Sequence, residues 1–107
     1  MGEILIRRDE RNRVTGLSVR DITGGTVAGT SSLHLLQAVT ATLVDYLHVA
    51  VESSIPDATE LVIDRRDTHL DRELDAVLET LVVGLKLLAK EYPADLVVEE
   101  ATIGVEV

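Results

Sequence analysis

LETLVVGLKLLAKEYPADLVVEE, residues 78–100, changes its period partway along, and that change sets the fold. Leu78, Leu81, Val82, Leu85 and Leu88 recur every three or four positions, as one face of a helix requires, and Leu74 and Val77 extend the stripe upstream. Thr68 with Asp71 three residues later resembles a capping box at the start of this helix. Tyr92-Pro93 ends it, because proline can neither donate the next hydrogen bond nor clear the preceding turn. Beyond the proline, LVVEEATIGVEV alternates as a strand, with Val97, Ala101, Ile103, Val105 and Val107 on one face and Glu99 the exception. A one-sided helix running directly into an amphipathic strand needs a sheet face to bury it.

The same reading extends toward the N-terminus. TELVIDR predicts a short strand before this helix, and SSIPDA, with Pro56, breaks whatever precedes it. From Ser31 to about Ser53 the spacing predicts an amphipathic helix, its stripe formed by Leu33, Leu36, Thr40, Leu43, Leu47 and Ala50. His34, Gln37, Asp45, His48 and Glu52 make the polar side. At the start, Ile4 and Ile6 alternate with Glu3, Leu5 and Arg7, RRDERNR supplies a solvated turn, and Leu17 and Val19 resume the pattern, giving a β-hairpin. The order β-β-α-β-α-β predicts an α+β two-layer sandwich, with two long helices packed on a mixed or antiparallel sheet. Residues 1–107 form one domain, since no linker, repeat or low-complexity segment divides them.

Composition narrows the chemistry. The chain has 19 acidic and 10 basic residues, a net charge of −9, which repels nucleic-acid backbones and anionic membranes and favours a basic or neutral partner. Aromatic side chains are limited to Tyr46 and Tyr92, so no platform exists for stacking bases. Cysteine is absent, which excludes disulfides, thiolate metal sites and a cysteine nucleophile. MGEILIRRDE has no apolar leader segment, and no uninterrupted apolar run reaches the roughly 18–20 residues of a membrane span, so a cytoplasmic protein is expected.

Three stretches invite a chemical reading. GGTVAGTSSLHLL, residues 24–36, resembles a phosphate loop in Gly24, Gly25, Gly29, Thr30 and Ser31, because helix N-terminal amides and hydroxyls attract anions. The lysine of a phosphate loop is missing, and Thr30 or Ser31 serves equally as the helix N-cap. Ser31 or Ser32 with His34 offers a nucleophile and a base, although no acidic residue lies beside them to orient the ring. DRRDTHLDRE, residues 64–73, gathers three Asp and one His, yet matches no metal-loop spacing and reads equally as a strand-to-helix turn; no metal and no cofactor are expected. On the second helix Val83, Gly84 and Leu87 fall away from the main stripe, covered either by another subunit or by the chain's own core.

The segment Leu78–Glu100 resembles the C-terminal helix and strand of the ribosomal-processing cysteine protease family, and QAVTATLVDYL, Gln37–Leu47, is similar to that family's small-residue first helix. In the family a Gly-His pair follows the second strand and a Cys sits near the start of the first helix, the two forming the catalytic dyad. The resemblance carries the pair onto Gly24-Gly25 and the Cys onto Leu33, so both catalytic side chains are missing. The loop between them is shorter than the family's, and TELVIDR stands in place of a longer strand pair. What the resemblance implies is a non-catalytic relative acting as a binding protein, ribosome association through a basic peptide or ribosomal protein, and a homodimer, for which Val83 and Leu87, off the main stripe, supply the interface. The alternative is a hydrolase of the same family with a site rebuilt around Ser31, Ser32 and His34.

Overall fold

A computed structural model describes residues 2–22, 25–49, 51–53, 60–65 and 68–102. The elements run β1 (Gly2–Arg8), β2 (Val14–Arg20), α1 (Val27–Ala41), β3 (Val51–Ser53), β4 (Glu60–Ile63), α2 (Asp71–Glu91) and β5 (Leu96–Thr102). The strands form one sheet in the order β3-β4-β2-β1-β5. β5 lies parallel to β1, and the other pairings are antiparallel. Both helices lie on one face, so the molecule is the expected two-layer α+β sandwich on a mixed sheet.

The hairpin follows from its sequence. Ile4, Ile6, Val14, Leu17 and Val19 are buried toward the helices. Between the strands the Asp9 carboxylate accepts the N–H groups of Arg11 and Arg13 at 2.9 and 3.0 Å, and Asn12 takes the left-handed conformation at φ 65°. An aspartate bonded to the backbone ahead of it, followed by a left-handed asparagine, is the local chemistry of a tight turn.

Helix α2 keeps the stripe its sequence shows. Leu74, Leu78, Leu81, Val82 and Leu85 are buried, with Val77 and Leu88 packed at the margin. The helix cap falls at Leu70 rather than at Thr68. Thr68–Leu70 is a single 3₁₀ turn, Leu70 occupies the cap position without a side-chain bond, and the Asp71 carboxylate is taken by Arg65 and Arg13. Charge-assisted bonds to two guanidinium groups are stronger than a bond to one amide, and they claim the carboxylate.

The first helix differs more. It starts at Val27, four residues before Ser31, and its N-cap is Thr26, whose hydroxyl accepts the Gly29 N–H at 2.9 Å; neither Thr30 nor Ser31 is the cap. Its buried side is formed by Ala28, Gly29, Ser32 and Leu36, with Leu35 and Val39 packed against the core, so the stripe is rotated and Leu33 lies off it, half-buried. After Ala41 the helix widens into a π turn at Thr42–Tyr46, and His48, at φ 56°, reverses the chain. Leu47 and Val49 still pack on the core, but from the turn, which is why apolar spacing persists where the helix has ended. β3 then adds a fifth strand where the sequence pattern continues a helix. Ala50 lies outside the described residues.

β5 turns its other face to the core. Parallel pairing sets Leu96, Val98 and Glu100 beside Gly2, Ile4 and Ile6 on the helix side, while Val97, Glu99 and Ala101 share the open face with Glu3, Leu5 and Arg7. Ile103, Val105 and Val107 lie outside the described residues. Val27–Tyr46 is long and apolar enough to meet the length and composition of a membrane span. Here it is one of the two helices seated on the sheet.

Candidate functional site

The β2–α1 junction, where the resemblance places the catalytic dyad, is built by the chain turning off the sheet. Asp21 adopts φ 59°, Ile22 packs against the core, and Thr26 caps the helix. Gly24 lies outside the described residues; Gly25 is an exposed turn residue. A depression of about 120 Å³ opens here, lined by Gly2, Asp21, Ile22, Thr26, Gly29, Asp95 and Leu96. Gly2 donates its N–H to the Asp95 carbonyl at 2.9 Å, and a Cβ on Gly2 would stand 2.8 Å from the Ile22 side chain. The close approach of β1 to the junction therefore depends on glycine. Two aspartates on its rim give the depression the opposite polarity from a phosphate cradle.

The candidate residues of GGTVAGTSSLHLL do not converge. Ser32 is fully buried, and its hydroxyl has no hydrogen-bond partner among the described residues. His34 is exposed. Two residues on a helix are about 200° apart around the axis, so the Ser32 hydroxyl and the His34 imidazole lie on opposite sides. Ser31, half-buried, is nearer the histidine's side. Gly29 is buried on the core side and contributes only its backbone to the depression. Leu33 stands seven residues beyond the N-cap rather than at the start of the helix.

A second constellation, absent from the sequence reading, is the arginine network under the hairpin tip. RRDERNR reads as a solvated turn, but Arg8 within it is only 8% exposed. It grips Glu79 with two nitrogens at 2.6 and 3.0 Å and Glu100 through Nε at 2.5 Å. Arg65, 9% exposed, donates to the Val14 carbonyl, to Asp71 at 3.0 Å and to Asp75 at 2.9 Å. Arg13 bridges Asp9 and Asp71, and Lys86 pairs with Glu100. Hydrogen bonding to Glu79 raises the Arg8 pKa against its burial. Bonds from Lys86 and then Arg8 hold the Glu100 carboxyl below its ordinary range. For Asp71 burial pushes the carboxyl up, and Arg65 and Arg13 together outweigh it, leaving it lowered. Asp9 is lowered likewise, with burial opposed by the bonds from Arg13 and Arg11. Part of DRRDTHLDRE is thus committed to ion pairs. The partners lie as far as 92 positions apart, which no local pattern reveals.

No protein-family model matches the chain, and no curated protein matches it. The solved structures do. The essential ribosomal processing protease Prp from Staphylococcus aureus, in complex with a substrate peptide, superposes with a TM-score of 0.81 at 13% identity, over 94% of this chain and all of that one. A Streptococcus mutans protein gives 0.76 at 14% identity over 96% of this chain and 99% of its own, and a hypothetical protein from Staphylococcus aureus gives 0.73 at 15%. Agreement over essentially whole chains at such identities is a statement about architecture. The likeness first read from Gln37–Leu47 and Leu78–Glu100 holds in three dimensions: this chain has the fold of the ribosomal processing protease.

Proposed function

We propose that the chain is a non-catalytic homologue of the ribosomal processing protease, a cytoplasmic homodimeric binding protein whose partner is a basic peptide segment, such as the end of a ribosomal protein. The observation that carries this is the pairing of a protease fold, matched at TM-score 0.81, with a sequence that contains no cysteine. Neither Gly25 nor Leu33 can attack a carbonyl or carry a proton, so a thiolate–imidazole mechanism has no groups to run on. Two features support peptide binding: the matched protease is bound to a substrate peptide, and the depression at the β2–α1 junction carries Asp21 and Asp95, whose charge suits a basic segment.

The test is incubation of the protein with a labelled lysine-rich peptide, reading both cleavage and anisotropy. The expected result is no cleavage above buffer and binding that weakens with salt and with Asp21→Asn. Cleavage that vanishes in Ser31→Ala, Ser32→Ala or His34→Ala would overturn the proposal in favour of a hydrolase with a rebuilt site.

A further inference from the structure

Opposite its core stripe, α2 carries a second ridge that the single chain leaves uncovered. Ala76, Thr80, Val83 and Leu87 are exposed, Val83 at 56% and Leu87 at 61%, and Glu73 and Lys90 continue the ridge at its two ends. The steps between these six run three, four, three, four, three, the spacing with which a helix seats itself against another helix. Alongside, α1 adds no charge. The sequence from Ile22 to Val44 contains no Asp, Glu, Lys or Arg, and Ala38 and Ala41 are exposed there. The two helices meet closely near Gly84, where a Cβ would touch the Leu35 side chain at 3.4 Å.

The ridge is complementary to itself. We infer that α2 pairs antiparallel with α2 of a second copy, about a two-fold axis level with the Leu81–Val82 peptide. This rests on the reading of the chain as a homodimer with Val83 and Leu87 at its interface, and assigns the facing helix and the register that reading leaves open. In this register Thr80 faces Val83 of the second copy and Ala76 faces its Leu87. Glu73 meets Lys90, and Arg72 meets Glu91, all four being exposed. Symmetry makes each pairing twice, so eight charges come together with no like pair. Sliding one helix by a turn toward this end leaves Lys90 opposite Ala76 and dissolves both kinds of ion pair, so the charges fix the register. For a chain of net charge −9, two copies repel over most of their surface, and a face that is neutral at its centre and alternating at its ends is where contact is least opposed. An unrelated partner would not require the pattern to read the same from both ends. The contact runs roughly 28 Å from Arg72 to Glu91 at 1.5 Å per residue.

The absence of cysteine makes the register directly measurable. Ala76→Cys and Leu87→Cys chains are mixed and mildly oxidised. A disulfide-linked species of twice 11.6 kDa is expected from the mixture but not from either variant alone, because like positions lie roughly 16 Å apart along the axis. Links from a single variant alone, or none from the mixture, would overturn the register. Light scattering at tens of micromolar should give a dimer for the unmodified chain and a monomer for Leu87→Glu, whose thermal transition confirms folding. Glu73→Lys should weaken the dimer, and adding Lys90→Glu should restore it. A dimer indifferent to these changes defeats this surface while leaving the homodimer reading intact, whereas an unmodified chain of single mass defeats both.

Discussion

At the scale of single residues, Arg8 is the group whose surroundings matter most. A guanidinium 8% exposed is tolerable only with its donors occupied, and Glu79, Glu100 and the Asn12 carbonyl occupy them. Glu79→Gln keeps the shape but removes one of the two balancing charges. The expected loss is about 1–3 kcal/mol, toward the lower end because the Glu79 side chain is 43% exposed, read as the change in urea midpoint at constant slope. An unchanged midpoint would mean that Arg8 is balanced by Glu100 alone. Nothing local in RRDERNR distinguishes Arg8 from Arg11, which is exposed. Their difference arises from carboxylates on α2 and β5, so it was not legible in the sequence.

At the scale of elements, legibility followed one-sidedness. α2 could be read almost to the residue because Leu74, Leu78, Leu81, Val82 and Leu85 keep strictly to one side, even though Val83 and Leu87 lie on the other. α1 could not. Its leucines, valines and alanines surround the axis, so the sequence permits several rotations, and the one adopted puts Leu36 in the core and leaves Leu33 off it. Leu36→Ala should therefore cost about 2–5 kcal/mol, as deletion of a buried leucine does, and Leu33→Ala less than about 1 kcal/mol. Equal losses in denaturant titration would restore the sequence-derived stripe. The end of α1 was hidden for a different reason: Leu43 and Leu47 keep helical spacing while the backbone passes through a π turn, and β3, only three residues long, is too short to show alternation. The candidate site shares this fate. The place of the β2–α1 junction was legible from the glycines and hydroxyls, but its rim includes Gly2 and Asp95 from opposite ends of the chain.

At the scale of the whole molecule, the lowered carboxyls of Asp9, Asp71 and Glu100 set the response to acid. A group that binds its proton less readily folded than unfolded stabilises the protein above its unfolded pKa, near 4, and that stabilisation is lost as pH falls through the folded value. The thermal midpoint should hold from pH 7 to about 5, then fall below about pH 4, with the fall made shallower by Glu100→Gln. A midpoint flat to pH 3 would remove the network from the balance. The parallel pairing of β1 with β5 has a consequence in time. β1 is an interior strand, yet one of its two neighbours is made more than 80 residues later, and only then can Arg8 meet Glu100. During synthesis the hairpin waits with an unpaired edge, and loop closure across nearly the whole chain must precede the reward of that ladder. Folding should thus be slow for a domain of this size, and a chain halted before Leu96 should remain open to protease and become resistant only once β5 has emerged.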